Sequence, residues 1–251
     1  MPATPAWPPS SLPRLYVAQP LSEGLELVLD GPAANYLGAV LRLGEGAQVK
    51  LFDDQTGEWL AELVEAGKRR VSLRLVQHLK AREPVPDLWL LFAPIKRGRI
   101  DWLVEKATEL GVARLVPVLT RRTIVDRVNL ERLRAHTIEA AEQCERTALP
   151  ELDEPVKLDR LLREWPADRA LFFADEQGGS ALAQTAGAGP AAILIGPEGG
   201  FTEEERAAIR AVPLAVAVSL GPRIMRADTA ALAAISLWMG ASGDWDAASI
   251  R

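Results

Sequence analysis

After residue 87 the chain alternates short, continuously apolar runs with longer segments of helical period, and this rhythm constrains the fold more than any other feature. Segments 88–92, 114–119, 171–174, 191–195 and 214–220 read as strands. Segments 100–110, 130–147 and the stretches opening at Thr202 and Thr229 read as helices, the first stopped by Gly111. Strands that are apolar on both faces need cover on both faces. The pattern therefore predicts an α/β domain, a mostly parallel sheet layered with helices.

The rhythm before residue 81 is different. Segments 25–29 and 47–52 are strand-like, and Val71, Leu73 and Leu75 alternate with Ser72 and Arg74. Asp53-Asp54-Gln55-Thr56-Gly57 is a turn cluster, and one helix is expected from Pro32 to about Leu41, with Gly44 past its end. Such a module is expected to be a compact β-barrel. Ala81-Arg82-Glu83-Pro84-Val85-Pro86-Asp87 reads as a linker, because two prolines resist both helix and central strand. The expected division is a β-rich domain over 1–80 and an α/β domain over 81–251. Residues 1–13, with five prolines and no apolar run, read as a flexible leader rather than a signal peptide.

Composition narrows the chemistry. The single cysteine, Cys144, excludes an intrachain disulfide and a cysteine-cluster zinc site, and two histidines, His78 and His136, make a histidine-rich metal centre unexpected. No metal is expected, and a reducing cytoplasm fits best. The most apolar stretch, 227–241, is too short for a bilayer span and contains Asp228 and Thr229, so it reads as a buried helix and no membrane partner is expected. The net charge of −5 argues against a nucleic-acid partner until its distribution is read. Residues 96–146 carry eleven Lys and Arg against eight Asp and Glu, while 147–251 carry nine against fifteen. The basic clusters Lys68-Arg69-Arg70, Lys96-Arg97-Gly98-Arg99 and Arg121-Arg122 permit RNA binding, although any one of them alone also reads as a solvated turn.

Two segments carry the sharpest chemistry. In Ile193-Leu194-Ile195-Gly196-Pro197-Glu198-Gly199-Gly200-Phe201-Thr202 a buried strand ends in a glycine loop, and a helix opens with Thr202 as cap and Glu205 completing a capping box. In Ser219-Leu220-Gly221-Pro222-Arg223-Ile224-Met225-Arg226-Ala227-Asp228-Thr229 a strand again enters a glycine loop and then a helix that Asp228 or Thr229 can cap. Glycine loops at strand carboxyl ends let backbone N–H groups approach a ligand. Neither segment has the spacing of a dinucleotide or phosphate loop. A tight turn that merely requires glycine explains the first alone, and a capping Asp228 with arginines paired to nearby acids explains the second; two glycine loops in succession point to a shared ligand site.

These residues resemble a known family. Leu-Ile-Gly-Pro-Glu-Gly-Gly at 194–200, Leu-Gly-Pro-Arg-Ile at 220–224 and the Arg-x-x-Thr-Ala that begins at Arg226 are similar to the cofactor motifs of the ribosomal RNA small subunit methyltransferase E family, the 16S rRNA N3-uridine methyltransferases of the SPOUT superfamily. Val104-Glu105-Lys106-Ala107-Thr108-Glu109-Leu110-Gly111 and Glu142-Gln143-Cys144-Glu145-Arg146 match as well, so the resemblance runs from about Arg14 to Met239. The family usually has Arg-Thr-Glu-Thr-Ala where this chain has Arg226-Ala227-Asp228-Thr229-Ala230, an acid one methylene shorter.

The resemblance implies a PUA-like RNA-binding β-barrel, then a SPOUT domain with a deep trefoil knot that binds S-adenosylmethionine, and a homodimer. By motif, the cofactor is expected against Leu194, Ile195, Gly196, Gly199, Gly200, Leu220, Gly221, Ile224, Met225 and Thr229. Methylation at N3 requires loss of its proton, so Glu198 and Asp228 are the candidate bases and Arg226 or Arg223 the candidate charge stabilisers. Lys68, Arg69, Arg70, Lys96, Arg97 and Arg223 are the expected contacts to ribosomal RNA or the small subunit. Cys144 reads as a packed helix residue, since nitrogen methylation needs no protein nucleophile. The last helix, with Leu232, Ile235 and Met239 on one side and Trp238 nearby, is the expected dimer surface. Ribose 2′-O methylation and a non-catalytic role in ribosome assembly remain open as alternatives.

Overall fold

The structure, a computed structural model, describes residues 12–67, 69–96, 98–125 and 127–246. Lys68, Arg97 and residues 1–11 of the expected leader lie outside the described residues. The chain divides into two compact units, one running to Pro84 and including Ala141–Ala148, the other comprising Val85–Ala140 and the chain from Leu149. The break falls inside the proline linker.

The first unit is a five-stranded sheet: β1 (Arg14–Tyr16), β2 (Glu26–Asp30), β3 (Gln48–Asp53), β4 (Gly57–Ala66) and β5 (Arg70–Lys80), in the order β1-β3-β4-β5-β2. Neighbours are antiparallel except β1 and β3. Val71, Leu73 and Leu75 point into the core, as their alternation requires, alongside Leu27, Val49, Leu51, Ala61 and Leu63. Burying one such leucine or valine contributes roughly 2 kcal/mol. The expected helix is present as α1 (Gly31–Asn35), but it continues as a π-helical turn over Tyr36–Val40 that drives Leu37 into the core.

The sequence pattern does not reveal β4, and the reason is physical. Glu58 faces inward, paired with Arg14 and Lys50, and register shifts against β5 interrupt the period-two alternation. Arg14 also lies 3.7 Å from the centre of the Phe52 ring and donates to the carbonyls of Ala141 and Arg146. The Glu142-Gln143-Cys144-Glu145-Arg146 motif is thus a structural tie to this sheet. Cys144 is exposed rather than packed, because the helix ends at Gln143.

The second unit is built on a parallel eight-stranded sheet. Its elements are β6 (Leu88–Phe92), α2 (Arg99–Glu109), β7 (Arg114–Leu119), α3 (Leu130–Gln143), whose last turn groups with the first unit, β8 (Glu151–Leu152), β9 (Val156–Lys157), α4 (Leu158–Arg163), β10 (Ala170–Ala174), β11 (Ser180–Ala181), α5 (Leu182–Thr185), β12 (Ala191–Ile195), α6 (Glu203–Arg210), β13 (Ala215–Ser219) and α7 (Ala227–Ser242). The strand order is β11-β13-β10-β12-β6-β7-β8, with β9 also pairing β7.

The expected two-sided cover is present. Ala191, Ile193 and Ile195 pack with α2 and α7, while Ala192 and Leu194 pack on the other face with Leu158 of α4 and Ile209 of α6. This corrects one expectation. Ile235, Trp238 and Met239 of α7 are almost fully buried in their own domain's core, with Leu232 half-buried against it. The side of the last helix that carries Ile235, Trp238 and Met239 is packed inside the unit rather than exposed.

Candidate active site

In the sheet, β13, β10, β12 and β6 are consecutive and parallel, so their carboxyl ends open on the same edge. Four chain segments emerge there and enclose a cavity of about 870 Å³. They are the loop after β12, the loop after β13, the stretch Asp175-Glu176-Gln177-Gly178 after β10, and Lys96 with Arg99 beyond β6. Sheets of this kind place ligands at strand carboxyl ends.

Of the ten expected cofactor residues, Ile195, Gly196, Gly200, Leu220, Gly221, Ile224 and Met225 line the cavity. Leu194, Gly199 and Thr229 do not. Leu194 is one residue out of phase and fully buried beneath the sheet; Gly199 turns its carbonyl outward to Arg122 Nη1 at 2.5 Å; Thr229 lies exposed within α7. Glu198, Arg223, Arg226 and Lys96 are at the exposed rim, whereas Asp228 is withdrawn and buried. Arg69 and Arg70 are exposed on the first unit and are not among the residues that line this cavity.

The loop after β12 is fixed at its far end as expected. Thr202 caps α6 by accepting from the Glu205 N–H, and Glu205 accepts from the Thr202 N–H at 2.9 Å. The expected cap of α7 is different. Arg226 occupies the capping position without a side-chain bond, and Asp228 lies in the first turn. Its Oδ1 accepts from the Thr229 N–H at 2.9 Å, and its Oδ2 from Arg99 Nη1 at 3.2 Å.

Sequence reasoning missed the wall after β10. Asp175, with no exposed side-chain surface, accepts from Arg206 at 3.2 Å and from Arg210 at 2.7 Å. Arg206 also donates to Glu176 at 2.6 Å and Glu203 at 2.9 Å. Burial acts to lower the Arg206 pKa, but the charges of Asp175 and Glu203 and the bond to Glu176 outweigh it and push it up. The signal was available: Ala170–Ala174 runs into Asp-Glu-Gln-Gly-Gly, a third strand ending in a polar glycine loop.

Among the described residues no cluster of His, Cys, Asp and Glu is arranged to hold a metal ion, and no helix is long and apolar enough to cross a membrane. The site instead combines glycine-lined backbone, apolar side chains and mixed charge.

Residues 81–239 match the family model described as an RNA methyltransferase domain, and residues 29–76 match the RNA methyltransferase PUA domain. The fold is thus that of an RNA methyltransferase, with a PUA-like N-terminal sheet and a SPOUT-like α/β domain. A ribosomal RNA small subunit methyltransferase E of Rickettsia conorii is 32% identical over 89% of this chain and 93% of its own length, and its Bacillus subtilis counterpart is 27% identical over 87% and 91%. The solved ribosomal RNA small subunit methyltransferase E of Neisseria gonorrhoeae, bound to S-adenosyl methionine, superposes with a TM-score of 0.86 at 28% identity, covering 93% of this chain and 99% of that one. The chain belongs to the ribosomal RNA small subunit methyltransferase E family.

Proposed function

We propose that this chain transfers a methyl group from S-adenosylmethionine to N3 of a uridine in 16S ribosomal RNA. The observation that carries the reading is the glycine-walled cavity at the carboxyl ends of β13, β10, β12 and β6, in a chain whose relatives bear that name. At about 870 Å³ it is within the range of small-molecule sites. Gly221, at φ +116°, has open space where a side chain would project, and Ile224, 94% exposed, is a large apolar group available to cover a ligand. These features fit the cofactor. When bound, S-adenosylmethionine supplies an electrophilic methyl group on a sulfonium.

Ile195, Gly196, Gly200, Leu220, Gly221, Ile224 and Met225 form the walls that hold it, and Leu194, Gly199 and Thr229 support those walls from outside. Glu198, at the open rim, takes the N3 proton, and Arg223 and Arg226 hold the RNA over the cavity. Lys96 at the rim extends that contact, and Arg97 is a further RNA contact expected from the family resemblance. In the N-terminal domain, 1–80, Lys68, Arg69 and Arg70 add phosphate contacts, while 81–251 performs the chemistry. The target base must leave its stack or lie in single-stranded RNA to reach such a cavity.

Three further readings accompany this one. The three register shifts between β4 and β5 support closure of the N-terminal sheet toward a barrel. A trefoil knot is supported by the course of the last segment, since β13 lies outside β10 while α7 packs back against β12, β6 and α2. The enzyme works as a cytoplasmic homodimer, for which exposed Trp102 and Leu237 on α2 and α7 are candidate contacts.

Incubation of small subunits and of naked 16S RNA with labelled S-adenosylmethionine, followed by nucleoside mass spectrometry, tests the reading. The expected product is 3-methyluridine. A 2′-O-methylated nucleoside would assign the ribose reaction instead, and no transfer to either substrate would favour the assembly-factor role.

A further inference from the structure

We propose that Arg99 is a catalytic residue of the methyl transfer and that Asp228 is its positioning residue rather than the base. The inference rests on the N3-methylation reading and concerns how charge is managed in that site.

When N3 loses its proton, negative charge spreads over the two uracil carbonyl oxygens. N3 then bonds the methyl carbon as the carbon–sulfur bond breaks, and that electron pair neutralises the sulfonium. The proton leaves with Glu198. A fixed cation facing a carbonyl oxygen lowers the barrier because its charge is already oriented when the anion forms.

Among the described residues five cations line the cavity: Lys96, Arg99, Arg206, Arg223 and Arg226. Arg206 is committed to Asp175, Glu176 and Glu203, with 6% of its side chain exposed. Lys96, Arg223 and Arg226 are exposed and make no ion pair among the described residues. Arg99 is both accessible and anchored. It opens α2, retains 38% of its side-chain surface, and is held by Asp228 at 3.2 Å. One of its five N–H donors faces Asp228, leaving the rest of the planar fork for a substrate oxygen.

The geometry at Asp228 argues against a base. One oxygen accepts from the Thr229 N–H and the other from Arg99, and only 12% of the side chain is exposed. Reaching a substrate proton would require breaking the ion pair first. The departure from the family's usual glutamate is then understandable, because the shorter aspartate already spans to Arg99.

Single-turnover methylation of small ribosomal subunits at saturating S-adenosylmethionine tests this, with cofactor affinity measured by calorimetry on the same preparations as a check of folding. Arg99→Ala should lose about 100-fold or more in rate, the scale of removing one oxyanion donor, with cofactor affinity within about threefold. Arg99→Lys, which keeps charge without the fork, should recover part of that loss. Asp228→Asn should lose about tenfold, and the Arg99→Ala/Asp228→Asn double variant should be no slower than Arg99→Ala, since a positioning group has nothing left to position. Raising the pH toward the range where uridine N3 ionises unaided should narrow the gap between Arg99→Ala and the unmodified enzyme. The proposal is overturned if Arg99→Ala reacts within about threefold of the unmodified rate. It is equally overturned if the two losses multiply in the double variant, or if the rate loss is matched by loss of cofactor affinity. Failure of the unmodified enzyme to produce 3-methyluridine would instead remove the parent reading.

Discussion

Replacing Gly200 by alanine should weaken S-adenosylmethionine binding about 5- to 30-fold, and the structure separates two causes. Gly200 has φ +67°, a left-handed conformation that costs an L-residue about 1–2 kcal/mol. A Cβ there would also lie 2.9 Å from Glu176 Oε1. The second effect is the smaller, because Glu176 is half exposed and can swing aside, and Arg206 then keeps Asp175 and Glu203 as partners. Backbone strain therefore dominates, and the loop relaxes it by leaving its present conformation. Apparent affinity falls by the fraction of molecules that remain competent, and 1–2 kcal/mol corresponds to about 5- to 30-fold. Gly199→Ala is the control. Gly199 has no positive φ, and its Cβ would meet Arg122 Cδ at 3.4 Å, an ordinary contact, so affinity should change by less than about threefold. Calorimetric titration with S-adenosylmethionine, alongside thermal unfolding to show both variants folded, reads the difference. Unchanged affinity in Gly200→Ala, or the larger loss in Gly199→Ala, would refute the placement of the cofactor against the inner side of this loop.

Three other outcomes follow from the charged groups. Burial acts to raise the Asp53 pKa, but bonds from Thr56, Gln55 and Leu21 hold it below 3.8; stability from those bonds is therefore present above pH 3.8 and lost as the pH falls through the lowered value. The difference in thermal stability between the protein and Asp53→Asn should accordingly shrink below pH 3.8, and a gap that widens there would contradict the assignment. Removing Arg206 leaves fully buried Asp175 with Arg210 as its remaining ion-pair partner among the described residues, so Arg206→Met should cost about 1–3 kcal/mol in chemical denaturation, and a loss under about 0.5 kcal/mol would show the network to be dispensable. Alanine at Lys68, Arg69 and Arg70 together should weaken RNA binding and reduce its salt dependence by up to about three phosphate contacts while leaving cofactor affinity intact, which an RNA titration across a salt series measures.

What could be read from the sequence depended on whether a segment's burial follows one simple period. Strands β6, β7 and β12 are apolar at nearly every position, and their limits match the sequence reading residue for residue. Strand β4 does not obey its period, since Glu58 points inward to Arg14 and the register shifts midway. The short elements β8, β9, α4, β11 and α5 are too brief to establish any period. The glycine loops after β12 and β13 were legible because glycine and proline mark them. Which residues within them face the cavity was not, since a one-residue difference in phase separates Ile195 at the wall from Leu194 beneath the sheet. Long-range pairing was hidden too. Nothing in the spacing of Arg99 and Asp228, 129 residues apart, announces their contact.

The capping box after β12 does more than start a helix. Glu205 divides its carboxylate, Oε2 accepting from the Thr202 N–H and Oε1 from the Arg121 N–H at 2.7 Å, and Arg122 next to it donates to the Gly199 carbonyl. The loop after β12 is therefore fixed from outside by a segment that follows β7, two strands away in the sheet. A loop held on its outer side can present backbone toward a ligand without first being ordered by it, which lowers the entropic cost of binding. Glycine is then required on the inner side, at Gly196 and Gly200, where a side chain would meet Phe201 or Glu176. On the outer side, at Gly199, the fold has room for a methyl group, and its carbonyl does the holding.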